Sequence, residues 1–164
     1  MHKDEKTKER KPQIIFVCTG NTCRSPMAEA LFAMILQEHN CADSFRLVSM
    51  GLAAFPGDTA NPLSVEAMAE LGVDISAHRS RGFSLYGLEK GDWVVTMTAS
   101  QKKALEKALD KPRLLCLGDF AGGDVSDPYG GSIETYRTCR SQLMQALKSF
   151  YLFLEQENAF DLKY

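Results

Sequence analysis

Apolar positions along the chain fall into short unbroken runs and longer helical stripes, and the two kinds take turns. Gln13 to Cys18 (QIIFVC) is an apolar run rich in β-branched residues, which predicts a buried strand. Ser25-Pro26 then predicts a helix start, with serine as N-cap and proline in the first helical position. Met27, Ala30, Leu31, Met34 and Ile35 follow at the spacing of one helix face. Phe45 to Ser49 predicts a second strand ending at Gly51. Asn61-Pro62 opens a second helix, which Gly72 closes. Asp92 to Met97 (DWVVTM) predicts a third strand, and Thr98-x-x-Gln101 is a capping box for a helix through about Leu109. Arg113 to Leu117 predicts a fourth strand. Gly118 to Gly131, with five glycines and a proline, predicts a long loop. A last helix from Ser132 carries Ile133, Tyr136, Cys139, Leu143, Leu147, Phe150 and Leu154 on one face.

Strands alternating with helices imply an α/β fold. The expected form is a three-layer α/β/α sandwich around a four-stranded parallel sheet in flavodoxin-like order. Ligands in such folds sit beyond the C-terminal ends of the strands, where the loop after the first strand lies.

The chain has 164 residues, enough for one domain with a sizeable core. Its charge is uneven. Residues 1–11 hold five basic and three acidic side chains, a net of +2, which leaves −4 on the remainder. So polar a stretch predicts a mobile extension over residues 1–12, with the folded domain spanning 13–164. A slightly acidic body argues against nucleic acid as a partner, and no apolar run reaches the ~20 residues that span a bilayer. The charged N-terminus differs from a secretory signal, so the expected location is cytoplasmic. Five cysteines, an odd number, favour free or catalytic thiols over a disulfide framework. Cys18 and Cys23 lack the second pair that a structural zinc site needs, so no metal is expected.

Between the first strand and the first helix stands Cys18-Thr19-Gly20-Asn21-Thr22-Cys23-Arg24, a C-x5-R sequence. Such a loop at a helix N-terminus can turn several backbone N–H groups inward and form an anion nest. Gly20 and Asn21 are residues that tolerate the positive φ angles a tight ring needs. Arg24 offers a bidentate fork for phosphate oxygens. Cys18 at the base would be held as a thiolate, because helix N-termini and nearby cations stabilise the sulfur anion. The plainer reading is a buried structural cysteine with a surface arginine. A thiolate attacking phosphorus also needs a proton donor for the leaving group. Asp127, followed by Pro128 in D-V-S-D-P-Y-G-G, is the candidate; Asp124 is its rival, and either could be a turn residue.

CTGNTCRSPMAEALF, followed far downstream by SDPYGG, resembles the low-molecular-weight protein tyrosine phosphatase family, and MAELGVDISAHRSR and VVTM fit as well. The similarity runs from about residue 13 onward. It implies Cys18 as nucleophile, Arg24 as phosphate clamp and Asp127 as general acid. It also implies a phosphate cradle of Thr19, Gly20, Asn21, Thr22, Cys23, Arg24 and Ser25. Ser25 would support the thiolate, Asn21 would hold the loop's shape, and His78 would brace Asn21 from behind. Cys23 would protect the nucleophile by forming a disulfide under oxidation. No cofactor is implied.

Thr22 bears on the substrate. Tyrosine-specific members place an apolar residue there, whereas members similar to protein-arginine phosphatases place a threonine. A hydroxyl in a narrow pocket suits a substrate offering N–H donors. The alternative role for Thr22 is to satisfy a loop amide. Phe55 and Tyr129 are the expected aromatic contacts of the substrate, with Leu52 to Phe55 as the opposite wall. Tyr129 is the residue more often found in the tyrosine branch, and Met50 replaces the usual alanine of S-A-G. Phosphoarginine in proteins is therefore the expected substrate, with phosphotyrosine as the alternative, on a monomer or weak dimer. Arsenate reduction is disfavoured, because it needs two further cysteines after the third strand and the stretch from Thr98 to Leu115 has none. A non-catalytic phosphoprotein-binding module would not need nucleophile, clamp and acid together.

Overall fold

The structure is a computed structural model that describes residues 10–109 and 113–160. Four parallel strands, β1 (Gln13–Cys18), β2 (Arg46–Gly51), β3 (Trp93–Thr96) and β4 (Leu114–Cys116), form one sheet in the order β2-β1-β3-β4. The crossovers are α1 (Arg24–Glu38), α2 (Pro62–Ala69) and α3 (Ala99–Glu106), and α4 (Ile133–Gln156) closes the chain. The expected mobile extension falls largely on residues 1–9, outside the described residues. Of its described part, Pro12 is buried and its carbonyl accepts the Arg46 N–H at 3.0 Å.

β1 is central because every side chain after Gln13 is buried, on both faces. Ile14, Phe16 and Cys18 point into the larger core, shared with Met27, Leu31, Phe32 and Ile35 of α1 and Leu143, Leu147, Phe150 and Leu154 of α4. Ile15 and Val17 point the other way, to Val48, Val94, Leu114 and Leu105 of α3. This period-two alternation puts α1, α2 and α4 on one face and α3 on the other, the three-layer arrangement expected. Each fully buried Phe, Leu or Ile stabilises the fold by about 1.5–3 kcal/mol relative to exposure.

Local signals fix several element ends. The Asn61 side chain accepts the Leu63 N–H at 2.9 Å with Pro62 in the first turn, and Gly72 adopts φ +74° just past α2. At α3 both halves of the Thr98/Gln101 capping box form.

Other ends move. α1 starts at Arg24 with Cys23 as its N-cap, so Ser25-Pro26 lies inside the first turn and Ser25 caps nothing. β1 keeps its expected bounds, β2 starts at Arg46 and runs to Gly51, β3 and β4 each lose one residue at either end, and α3 ends at Glu106, short of Leu109. The segment expected to be loop from Gly118 opens with a 3-10 turn, Leu117–Phe120, because Leu117 and Phe120 still face the core. No helix among the described residues is long and apolar enough to cross a membrane.

Candidate active site

The C-terminal edge of the sheet gathers several buried polar groups, among them Asn21, Arg24, Ser25 and Gln101. Cys18, the last residue of β1, is 2% exposed. Its Sγ lies 2.9 Å from Ser25 Oγ and accepts the Asn21 N–H at 3.3 Å. Ser25 faces the sulfur from the first turn of α1, which is why it serves the loop and not the helix end.

Asn21 is fully buried at φ +57° and holds the loop from three directions. Its Nδ2 donates to Ser25 Oγ at 2.8 Å, and its Oδ1 accepts the Arg81 N–H at 2.9 Å. Its backbone carbonyl pairs with His78 Nε2 at 2.7 Å, which makes Nε2 the protonated nitrogen. His78 thus braces Asn21 through its main chain, while Arg81 supplies the contact to its side chain. Glu29, on α1, faces the same corner. Burial pushes its carboxyl upward, and Ser49 and the charges of His78 and Arg81 pull it back. Gly20 does not share the positive φ of Asn21, so the left-handed turn of the ring falls on asparagine alone. The glycine that close packing requires is Gly51, at the end of β2. A Cβ there would stand 2.6 Å from the Thr19 carbonyl and 3.0 Å from Asn21 Cβ.

Arg24 is 4% exposed, which excludes the surface arginine of the plainer reading. Its Nη1 donates to the Val125 carbonyl at 2.9 Å, and its Nη2 stands 3.6 Å from Asp127 Oδ2. Its Nε is buried without a hydrogen-bond partner. A guanidinium so placed keeps donor capacity for an oxyanion.

The two candidate acids separate cleanly. Asp124 Oδ1 accepts the Ala99 N–H at 2.9 Å and serves the start of α3. Asp127 has a half-exposed side chain, accepts the Tyr129 N–H at 3.1 Å on Oδ1, and turns Oδ2 to Arg24. It is therefore Asp127 that reaches the Cys18–Arg24 end of the site.

Thr22 is half-buried. Its carbonyl accepts the Asn61 N–H, but its hydroxyl makes no bond to a loop amide, its partner being Cys23 Sγ at 3.8 Å. Cys23 Sγ also lies 3.3 Å from the hydroxyl of fully buried Tyr136. One turn along α4, burial pushes the Cys139 thiol up to about 12, against the pull of Arg24. All five cysteines are free, and the described residues contain no cluster of three or more His, Cys, Asp or Glu fit to hold a metal. Leu52 N and Ala53 N donate to the Cys18 and Thr19 carbonyls, so the expected wall does border the loop. Phe55, 79% exposed, and Tyr129, 74% exposed, stand out into solvent.

Residues 13–159 match the family model for low molecular weight phosphotyrosine protein phosphatase. The chain belongs to that family. Among its relatives, a protein-arginine-phosphatase of Bacillus subtilis is 37% identical over 149 residues, covering 88% of this chain and 97% of the relative. A low molecular weight protein-tyrosine-phosphatase of Staphylococcus haemolyticus, PtpB, is also 37% identical, over 135 residues, covering 80% and 92%. Among solved structures, a mutant of the YwlE arginine phosphatase with a phosphorylated active-site serine superimposes with a TM-score of 0.81. It shares 34% identity and covers 90% of this chain and 99% of that one.

Two contributors to this phosphatase fold's site had no signature in the sequence. The Arg81 N–H and the Val125 carbonyl act through the main chain, which residue type does not reveal. A third, Gln101, is legible only as a cap, although its side chain also donates to Thr19 Oγ1.

Proposed function

We propose that the protein hydrolyses phosphoarginine in protein substrates through a phosphocysteine intermediate on Cys18. The observation that carries this reading is one cluster: a sulfur against the Asn21 N–H and the Ser25 hydroxyl, a buried arginine with a spare N–H, and a half-exposed carboxyl beside that arginine. The Cys18 thiolate attacks phosphorus and forms the S–P bond as the P–N bond breaks. Asp127 gives its proton to the departing guanidino nitrogen. The ionised Asp127 then takes a proton from water, whose oxygen attacks phosphorus. The S–P bond breaks, and inorganic phosphate and thiolate result. Arg24 and the N–H groups of residues 19–25 carry the charge on the equatorial oxygens in both steps.

Thr22 supports the choice of substrate. Its hydroxyl, bonded to no loop amide, keeps a lone pair for a guanidino N–H that a phenyl ring lacks. The names of the relatives include both arginine and tyrosine phosphatases, and Tyr129 suits the second. Phosphotyrosine is therefore the alternative substrate. Phe55 and Tyr129, both exposed at the rim, would grip the protein chain around either residue. A thiol nucleophile stays active in a reducing compartment, so we place the protein in the cytoplasm, and we take the assembly to be a monomer or weak dimer. Cys23, next to the nucleophile's ring, would cap it as a disulfide under oxidation.

The test compares kcat/KM on matched phosphoarginine and phosphotyrosine peptides, with Cys18→Ser as control. The reading expects the arginine peptide to be preferred and the control to be inert. Preference for the tyrosine peptide would overturn the choice of substrate, and an active control would overturn the mechanism.

A further inference from the structure

The loop that bears Cys18 and the segment that bears Asp127 are fastened to the same five residues, Met97 to Gln101. Gln101 is 7% exposed and three of its four polar valences are used. Its Oε1 accepts the N–H groups of Met97 at 3.0 Å and Thr98 at 3.1 Å. Those two donors orient the amide, so Nε2 faces the phosphate loop and donates to Thr19 Oγ1 at 3.2 Å. A capping box needs only the bond back to the N-cap N–H. The bond to Thr19, the residue next to Cys18, is additional and spans 82 positions in sequence.

The other loop arrives at the same place. Ala99 N–H donates to Asp124 Oδ1 at 2.9 Å, and the Met97 carbonyl accepts the Val125 N–H at 3.0 Å. Val125 in turn gives its carbonyl to Arg24, and Asp127 follows two residues later. The corner between β3 and α3 is therefore a common anchor for the nucleophile's loop, the clamp and the acid's segment. Phosphoryl transfer depends on that relation, since nucleophile and acid act in one step and a displacement of ~1 Å can cost up to about 100-fold in rate.

We infer that Gln101 is a positioning residue for the phosphoryl transfer, holding the Cys18 end of the loop in register with the segment that carries Asp127. This rests on the roles proposed above for Cys18 and Asp127. Gln101 touches neither substrate nor sulfur; it acts through Thr19.

Two substitutions cut the link, and the second of them leaves the cap of α3 in place. Gln101→Met removes the N–H that reaches Thr19, together with the acceptor for Met97 and Thr98, and adds no charge. Thr19→Val removes the acceptor and leaves Gln101 untouched. Each variant, and the pair combined, is assayed on an aryl phosphate with active sites counted by the acid-quenched phosphoenzyme burst. Inhibition by inorganic phosphate and the melting temperature are measured alongside. The expected result is a fall in kcat of about 5–20-fold for each, with KM and phosphate inhibition within about two-fold. The combined variant should be no worse than the worse single one, because both remove the same bond. A kcat per active site equal to the parent's in both single variants, with only the melting temperature lowered, would overturn the inference. So would losses that multiply in the combined variant. Activity retained in Cys18→Ser, run in parallel, would instead overturn the mechanism beneath it.

Discussion

Among the described residues, the two ends of the sheet each bury one charged residue, and they treat it differently. At the N-terminal end Asp92, 7% exposed, has its full set of partners. Arg10 grips it at 2.6 and 3.3 Å, and the N–H groups of Gln13 and Glu89 donate at 2.8 and 2.9 Å. At the C-terminal end Arg24, 4% exposed, has a carbonyl at 2.9 Å, a carboxylate at the longer distance of 3.6 Å, and an Nε with no partner. A buried charge is tolerated when it is paired, and Asp92 is paired within the fold. Arg24 is held in position and left under-satisfied, the arrangement that suits an incoming anion. The same distinction separates Asp124, spent on the start of α3, from half-exposed Asp127.

The comparison is open to attack by substitution, and the largest effect belongs to the site. Arg24→Lys should lower kcat/KM by about 10³-fold with little change in melting temperature, since lysine keeps the charge but not the fork. A loss of less than ten-fold would mean that the unsatisfied Nε has no role. Asp127→Asn should lower kcat by about 10²–10³-fold on substrates with poor leaving groups and much less on activated aryl phosphates. Asp124→Asn should spare that leaving-group dependence; if it does not, the division of labour between the two aspartates is wrong.

At the opposite end the expected damage is to stability. Asp92→Ala should cost about 3 kcal/mol in denaturant unfolding while activity per folded molecule is retained. Burial alone would raise the Asp92 carboxyl, but Arg10 and the two N–H groups outweigh it and hold it below the ordinary carboxylate range. A carboxyl depressed in the folded state contributes stability at neutral pH and loses it as pH falls through the folded value. The gap between parent and variant should therefore close in acid. The smallest effect is on selectivity. Thr22→Ile should shift the ratio of kcat/KM for phosphoarginine over phosphotyrosine toward tyrosine by about 10–100-fold, leaving stability within about 1 kcal/mol.

What the sequence made legible follows how local each signal is. The run Ile14–Cys18, the Asn61-Pro62 and Gly72 ends of α2, and the Thr98/Gln101 box each depend on a few neighbouring residues, and each stands as read. The start of α1 does not. Ser25-Pro26 has the form of a cap, yet the serine is drawn into the helix because its hydroxyl is wanted at Cys18, seven residues back. Gly20 and Asn21 both suit a positive φ, and Asn21 alone adopts it, since the bonds holding Asn21 come from Ser25, His78 and Arg81, two of them far along the chain. Gln101 was readable as a cap because that role is local, whereas its bond to Thr19 spans 82 positions. The residues proposed for the chemistry are legible by type; the groups that aim them are mostly main chain or distant.

The most direct test follows the phosphoryl group itself. The parent protein turning over a phosphoarginine peptide is quenched in acid, digested and analysed by mass spectrometry. The account predicts one phosphoryl group on the peptide containing Cys18, formed in a burst before steady turnover and missing from Cys18→Ser. Turnover at the full rate with no phosphate on Cys18, or with phosphate on another residue, would contradict it.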